Sequence, residues 1–101
     1  MSAVRFPSSI GKSIELTTER QQHICRYHSD LVPFLDRLSE VLIGPDGIRR
    51  TFDDPQVLLF YKFYPDILNG KYIVIAAKVN ARSFILTAYL SRRVRTGVPY
   101  E

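Results

Sequence analysis

The N-terminal half of the chain shows the spacing of polar and apolar residues that is typical of helices. Thr17 or Thr18, followed by Glu19 and a polar run, indicates a helix start. A hydroxyl oxygen there accepts hydrogen bonds from free amides of the first turn, and a nearby carboxylate suits the helix dipole. The pattern predicts a first helix that ends at about His28.

A second helix is predicted to begin near Ser29 or Asp30. Pro33 is compatible with its first turn, where no backbone amide is needed for hydrogen bonding. The Gly- and Pro-containing turn at 44–47 ends this helix. Its buried stripe follows the three-and-four spacing of a helix and comprises Leu31, Phe34, Leu35, Leu38, Val41 and Leu42.

After residue 47 the apolar period changes. Four stretches rich in Val, Ile, Tyr and Phe predict strands at 48–52, 57–64, 71–79 and 83–92. The connections between them are too short for parallel crossovers, so antiparallel pairing is expected. The sequence therefore predicts an α+β fold in which two N-terminal helices pack on one face of a four-stranded antiparallel meander sheet.

The turn at 80–82 sets the register of the last hairpin. A two-residue loop at Ala81 and Arg82 pairs Asn80 with Ser83, Lys78 with Ile85, Ala76 with Thr87 and Val74 with Tyr89. One face then carries Tyr72, Lys78, Thr87 and Tyr89. The helices are expected to cover the other face, which carries Ile73, Ile75, Ala77, Phe84, Leu86, Ala88 and Leu90. A three-residue loop would move Lys78 to the opposite face.

Length and composition indicate one folded domain over residues 1–101, since 46% of the residues are hydrophobic and 24% are charged. No stretch approaches the roughly 18 apolar residues of a membrane span, and the N-terminus lacks the apolar run of a signal peptide. A cytoplasmic location without membrane contact is therefore expected. The single Cys25 cannot form an internal disulfide, which agrees with a reducing compartment.

Positive charge is concentrated in the second half of the chain. The net charge is +4, and residues 1–54 carry 7 basic and 8 acidic residues, whereas residues 55–101 carry 7 basic and 2 acidic residues. This distribution favours a polyanionic partner such as RNA or DNA. The alternative is an ordinary solvated basic surface.

Several kinds of site are excluded by residue content. Two His and one Cys provide no ligand set for structural zinc, and no Gly-rich phosphate loop or nucleophile elbow occurs. Any enzymatic activity is therefore expected to use ordinary side chains, without a metal or cofactor.

His23 is the first candidate for chemistry because it lies beside the buried stripe of the first helix, one turn before Tyr27. Histidine titrates near neutrality, and cleavage of RNA by its own 2′-hydroxyl requires a general acid and a general base. The alternative is a structural or merely exposed histidine. His28 lies nearer the stripe, and its alternative role is to bond the last carbonyls of the helix.

Lys78, Thr87, Tyr89 and Tyr72 form a second candidate group if the two-residue loop is correct. A lysine there can stabilise the negative charge that develops on a cleaved phosphate, and hydroxyls can orient phosphate oxygens. The alternative is a solvated strand face, because Thr and Tyr suit strands in any case. Arginines also cluster at the end of the last predicted strand (Arg92, Arg93 and Arg95) and at the start of the first (Arg49 and Arg50). They indicate phosphate binding rather than cleavage.

From Thr18 to about Thr96 the chain resembles the phage and bacterial members of the barnase, EndoU, colicin E5/D and RelE-like nuclease superfamily, known as BECR-fold nucleases. Five segments carry the resemblance: 18–24 (Thr-Glu-Arg-Gln-Gln-His-Ile), 26–30 (Arg-Tyr-His-Ser-Asp), 57–62 (Val-Leu-Leu-Phe-Tyr-Lys), 71–78 (Lys-Tyr-Ile-Val-Ile-Ala-Ala-Lys) and 84–89 (Phe-Ile-Leu-Thr-Ala-Tyr). Residues 1–16 form an N-terminal extension outside the match, and the core is expected at about 17–96.

The resemblance implies a metal-independent endoribonuclease that cleaves RNA through a cyclic phosphate, usually a toxin held in check by an antitoxin or immunity protein. His23 would be the general acid or base, Lys78 would stabilise the transition-state phosphate, and Thr87 and Tyr89 would position it. The substrate-binding candidates are Arg26, His28, Lys62, Tyr72 and Arg92.

Two other functions stay open. The chain is alternatively a non-catalytic RNA-binding module, in which basic side chains contact phosphates and Tyr72 or Tyr89 stacks bases. A third possibility is a protein-interaction module, in which an exposed strand edge pairs with a partner chain such as an antitoxin.

Overall fold

The structure is a computed structural model that describes residues 3–100. Its helical elements are α1 (Thr18–Tyr27), a 3-10 helix (Ser29–Arg37) and α2 (Leu38–Ile43). Its strands are β1 (Val4–Phe6), β2 (Ile14–Leu16), β3 (Gly47–Arg50), β4 (Val57–Tyr64), β5 (Lys71–Lys78), β6 (Phe84–Ser91) and β7 (Val98–Pro99).

The strands form one mixed sheet in the order β1-β2-β6-β5-β4-β3-β7. β2 runs parallel to β6, where Glu15 pairs with Phe84, and the other neighbouring strands are antiparallel. The α+β class is confirmed, but the predicted four-stranded antiparallel meander is wrong. The three unpredicted strands contain only two or three residues each, too few to show an alternating pattern.

The first helix begins where the sequence indicates. The Thr17 side chain accepts a hydrogen bond from the backbone amide of Arg20 at 3.1 Å. Ile24 is the fully buried residue of α1 and anchors the helix to the sheet. His28 caps the C-terminal end, because its backbone amide donates to the Ile24 carbonyl at 2.8 Å.

The predicted second helix is divided into the 3-10 helix and α2. Pro33 lies inside the 3-10 helix, and Phe34 has non-helical backbone angles of φ −119° and ψ 18°. Proline supplies no amide hydrogen and its ring crowds the preceding turn, so a continuous α-helix is disfavoured here. The predicted stripe nevertheless packs in or against the main core, because the apolar spacing survives the break.

The sheet has two different faces. One face packs under the helices and forms the main core, which includes Ile24, Leu42, Phe60, Ile75 and Ile85. The opposite face carries a smaller cluster of Leu59, Val74 and Ala76, flanked by partly buried residues that include Tyr61, Tyr72 and Tyr89. The predicted functional side chains of β5 and β6 belong to this second face.

The register of the β5–β6 hairpin corrects part of the prediction. Ala76 pairs with Thr87 and Val74 with Tyr89, as expected, but Lys78 pairs with Phe84 rather than with Ile85. A β-bulge between Ala76 and Ala77 accounts for the difference, because an extra β6 residue stands between the two registers.

The bulge also changes which β6 residues the helices cover. Ile85 enters the main core, whereas Leu86, expected there, packs with the cluster on the opposite face. Phe84, also expected there, is instead the partner of Lys78 at the end of the ladder. The predicted pairing of Asn80 with Ser83 lies beyond the ladder, in the turn.

The N-terminal residues belong to the sheet. Ile14 and Leu16 are buried in the main core, although the resemblance begins only at Thr18. The Glu15 carboxylate is buried and accepts hydrogen bonds from Arg82 Nε at 3.1 Å and Nη2 at 2.7 Å. This ion pair ties β2 to the β5–β6 turn and lowers the pKa of Glu15.

The C-terminal residues 92–97 connect β6 to β7 at the other side of the sheet. β7 pairs with Arg49 and Arg50 of β3. Arg49 Nη1 donates to the carbonyl oxygens of Val94 and Arg95, both at 3.1 Å. Because Arg49 pairs with Leu59, these contacts fasten the crossing segment on the face opposite the helices.

Candidate active site

The first candidate residues come together where α1 lies beside β6. β2 pairs with β6 only through Phe84, and α1 follows β2 in the chain. Arg20 Nη1 donates to the backbone carbonyl of Leu86 at 3.3 Å, which attaches α1 to β6 beyond the end of β2. This arrangement places the C-terminal end of α1 next to the C-terminal half of β6.

Two histidines and a tyrosine meet at this junction. The ring centroids of His23 and His28 are 6.2 Å apart, and the His28 and Tyr89 centroids are 5.8 Å apart. Tyr27 extends the group, with its ring 5.0 Å from that of His23. Both imidazoles are half-buried and therefore accessible to a ligand. We call His23, His28 and Tyr89 the histidine–tyrosine cluster.

Tyr89 is held in its neutral form. Burial raises the pKa of its hydroxyl, and the positive charge of Arg95 acts in the opposite direction with a smaller effect. A neutral phenol keeps its proton and can donate a hydrogen bond to an anionic oxygen. The cluster thus combines two potential proton-transfer groups with one hydrogen-bond donor.

Basic residues lie beside the cluster on the same helix. An open depression of about 490 Å³ runs along α1 and is lined by Glu19, Arg20, Gln22, His23, Arg26 and Tyr27. Two guanidinium groups against one carboxylate give this surface a positive balance, which suits a phosphate. Arg26 is one of these lining residues, and its predicted role in substrate binding stays a prediction.

Lys78 does not join the histidine–tyrosine cluster. Its ammonium lies 2.9 Å from Asp54 Oδ2, and this hydrogen bond lowers the pKa of Asp54. Val74, the partner of Tyr89, precedes Lys78 by four residues, which is about 13 Å along an extended strand. Lys78 therefore lies away from the histidines, and the role at the transition-state phosphate that the resemblance implies for it stays a prediction.

Thr87 lies between these two groups on β6. It pairs with Ala76, and its Oγ1 atom is buried without a hydrogen-bond partner among the side chains and backbone of residues 3–100. The hydroxyl therefore forms no hydrogen bond with either imidazole or with the ammonium of Lys78. Its predicted role in positioning phosphate stays a prediction.

The remaining substrate-binding candidates lie in three different places. Lys62 Nζ donates to the Gly44 carbonyl at 3.0 Å and pairs with Asp46, so it braces the turn before β3. Tyr72 pairs with Ser91 and lies on the same sheet face as Tyr89. Arg92 follows β6 directly and is exposed.

Sequence reasoning missed the part that Arg20 plays. It both fastens α1 to β6 and lines the depression beside His23. Arg20, His23 and Tyr27 are spaced by three and four residues, which places them on one helix face. This spacing was the sequence feature that could have indicated the position of Arg20 beside His23. Which strand that face meets depends on long-range packing.

The described part of the chain offers no obvious metal centre. Within residues 3–100, no three or more His, Cys, Asp or Glu side chains are grouped as ligands of a metal ion would be. None of the helices in this range has both the length and the apolar character that crossing a membrane requires.

Comparison with protein-family models, curated proteins and solved structures finds no match for this chain. The resemblance to BECR-fold nucleases therefore stays a prediction from the sequence. The functional argument depends on the histidine–tyrosine cluster and its surroundings.

Proposed function

We propose that this protein is a metal-independent endoribonuclease whose active site is the histidine–tyrosine cluster. The observation that carries the proposal is the 6.2 Å separation of the His23 and His28 rings, together with the 5.8 Å separation of the His28 and Tyr89 rings. Paired imidazoles beside a neutral phenol and arginines are suited to moving protons around a phosphodiester.

The reaction requires two proton transfers. One imidazole removes the proton from a ribose 2′-hydroxyl as its oxygen attacks phosphorus, and the other donates a proton to the departing 5′-oxygen. The bond from phosphorus to the 2′-oxygen forms and the bond to the 5′-oxygen breaks, leaving a 2′,3′-cyclic phosphate and a 5′-hydroxyl. Tyr89 donates a hydrogen bond to a non-bridging oxygen, where negative charge develops.

Arginines supply the attraction for RNA. Arg20 and Arg26 line the depression beside His23. Arg92 and Arg93 are exposed directly after β6, the strand that carries Tyr89. Contacts of this kind attract phosphates without reading sequence and weaken as salt rises. The resemblance to BECR-fold nucleases supports a cytoplasmic toxin that an antitoxin or immunity protein restrains.

One observation favours a second function, RNA binding without cleavage. Lys78, the residue expected to stabilise the transition-state phosphate, is paired with Asp54 and lies away from the histidines. A binding module needs the positive surface and the aromatic rings but not a proton-transfer pair. It predicts salt-sensitive RNA binding that survives substitution of both histidines.

The proposal is tested by RNA cleavage in EDTA with wild-type protein, His23→Ala, His28→Ala and Tyr89→Phe. Loss of a general acid or base is expected to slow cleavage about 10²- to 10⁴-fold. Loss of the phenol hydroxyl is expected to cost about 10²-fold. The backbone amide of His28 makes its capping bond, so His28→Ala keeps that bond.

Gln21→Ala is the matched control, because Gln21 is exposed on α1 but does not line the depression. Circular dichroism first establishes that every variant is folded. Gln21→Ala should cleave like the wild type. Full activity in both histidine variants rejects the histidine–tyrosine cluster as the active site. No cleavage by any of the proteins, the wild type included, together with retained RNA binding, rejects the nuclease proposal and favours the binding module.

A further inference from the structure

Three aromatic rings lie in series on the sheet face opposite the helices. Tyr72 of β5 contacts both Tyr61 and Phe63 of β4 edge to face, with ring centroids 5.9 Å and 5.1 Å apart. Phe63 is 42% exposed. Tyr61 and Tyr72 are partly buried beside it, and it is a contiguous apolar surface, rather than a single exposed side chain, that marks a binding surface.

The rings are held in place by their neighbours. Phe63 lies over Gly70, which has φ +104°, and a Cβ atom at residue 70 would approach the Phe63 ring to 2.8 Å. The Arg49 guanidinium lies over the Tyr61 ring at 5.2 Å, and backbone carbonyls fix Arg49 in turn. Preorganised rings lose little conformational entropy when a ligand stacks on them.

This aromatic series begins beside the histidine–tyrosine cluster. Tyr72 pairs with Ser91 and Tyr89 pairs with Val74, so Tyr72 and Tyr89 are diagonal neighbours on one face. Side chains related in this way lie about 7–8 Å apart. Phe63 is the direct partner of Tyr72 on the next strand. The series therefore leads from Tyr89 across the sheet, away from the imidazoles.

Positive charge accompanies the rings. Arg92 and Arg93 are exposed and follow Ser91, the β6 partner of Tyr72. The Asp46 carboxylate accepts a hydrogen bond from the Phe63 backbone amide at 2.7 Å, and its charge is offset by Lys62 at 3.7 Å. Aromatic faces next to guanidinium groups match the bases and phosphates of an unpaired nucleic-acid strand.

We propose that Phe63 and Tyr72 form a base-stacking platform for single-stranded RNA next to the cleavage site. The choice of RNA rests on the proposed function, but stacking itself requires no catalysis. Bases adjoining the cleaved phosphodiester stack on Tyr72 and Phe63, while Arg92 and Arg93 contact the intervening phosphates. The platform therefore favours unpaired RNA over duplex RNA, whose bases are not free to stack on protein.

The test measures binding of two fluorescent decamers, a 2′-O-methyl RNA and an abasic strand with the same backbone. The 2′-O-methyl group cannot attack phosphorus, so binding is separated from cleavage. Phe63→Leu and Tyr72→Leu are each expected to weaken binding of the base-containing strand about tenfold, as loss of one stacked base does. Binding of the abasic strand should be unchanged.

Phe52→Leu is the control, because Phe52 is 67% exposed but precedes β4 at the end opposite Phe63. It should bind both decamers like the wild type. Equal affinity of the wild type for the two decamers, or equal losses on both strands in the platform variants, overturns the platform. If the platform is overturned but the wild type still cleaves RNA, the proposed ribonuclease activity stands without the platform. If the platform variants lose binding of the base-containing strand as expected but the wild type does not cleave RNA, only the stacking platform is supported.

Discussion

Replacing Thr87 by valine is expected to stabilise the protein. Thr87 Oγ1 is buried on β6 and has no hydrogen-bond partner among residues 3–100. A buried hydroxyl without a partner costs about 1–3 kcal/mol relative to one that stays hydrated or bonded. Valine replaces that oxygen by a methyl group of nearly the same shape and keeps the β-branched side chain that strands favour.

The expected gain in the free energy of unfolding is about 1 kcal/mol, the lower end of that range, because neighbouring side chains adjust to the methyl group. For a chain of this length the corresponding rise in Tm is about 4–5 °C. Urea unfolding followed by circular dichroism measures the change, and an unaltered slope establishes that the midpoint reports stability.

Thr51→Val is the matched control. Thr51 is also buried, but its Oγ1 donates to the Asp54 carbonyl at 2.7 Å and accepts from the Asp54 amide at 3.3 Å. Its replacement should lower the free energy of unfolding by about 1–2 kcal/mol. A similar loss in Thr87→Val would refute the reasoning, because it would mean that the Thr87 hydroxyl is bonded. Stabilisation together with slower RNA cleavage would give Thr87 the positioning role that the resemblance implies.

Three further changes have defined outcomes. Ile24→Ala removes the buried anchor of α1 and should lower the free energy of unfolding by about 2–5 kcal/mol in urea titrations; a loss below 1 kcal/mol would contradict this packing. Tyr64→Phe removes a 2.8 Å hydrogen bond to Glu40 and should cost about 1 kcal/mol by the same measurement, whereas no loss would mean that water replaces the bond. Arg82 lowers the pKa of Glu15, so ionised Glu15 stabilises the fold above the ordinary carboxyl pKa of about 4.3 and loses this effect as pH falls through its folded value. The stability difference between the wild type and Arg82→Met should therefore be larger at pH 7 than at pH 3, and a difference independent of pH would contradict the pairing.

Local sequence patterns predicted the elements that carry their own signal. The cap at Thr17 marked the start of α1, and the apolar stripe from Leu31 to Leu42 identified the residues that pack on the sheet. β4, β5 and β6 were predicted within one residue at each end, because eight-residue strands show clear composition and turn boundaries. These features depend on neighbours that are close in sequence.

The missed features depend on residues far apart in the chain. β2 joins the sheet through Glu15 and Phe84, and the ion pair with Arg82 covers a similar distance in sequence. Two or three residues cannot reveal such pairing by their own pattern. The bulge beside Ala76 was missed for another reason, since a two-residue loop and a longer loop with a bulge both place Thr87 opposite Ala76.

Some features of the candidate site also followed from local sequence patterns, whereas others depend on long-range packing. The helical spacing placed His23 beside the buried stripe of α1, where the structure has it half-buried, and the strand alternation placed Tyr72 and Tyr89 on one face. The approach of His28 to Tyr89 depends on how α1 crosses β6, which no local pattern encodes. The engagement of Lys78 by Asp54 likewise depends on the loop before β4.

The most direct test of the proposed ribonuclease is to incubate the wild-type protein in EDTA with an unstructured RNA and with a 2′-O-methyl copy of it. Mass spectrometry then identifies the products. Attack by the 2′-hydroxyl predicts that only the RNA is cut and that its fragments end in 2′,3′-cyclic phosphates and 5′-hydroxyls. Cleavage of both strands, or of neither, would contradict the account.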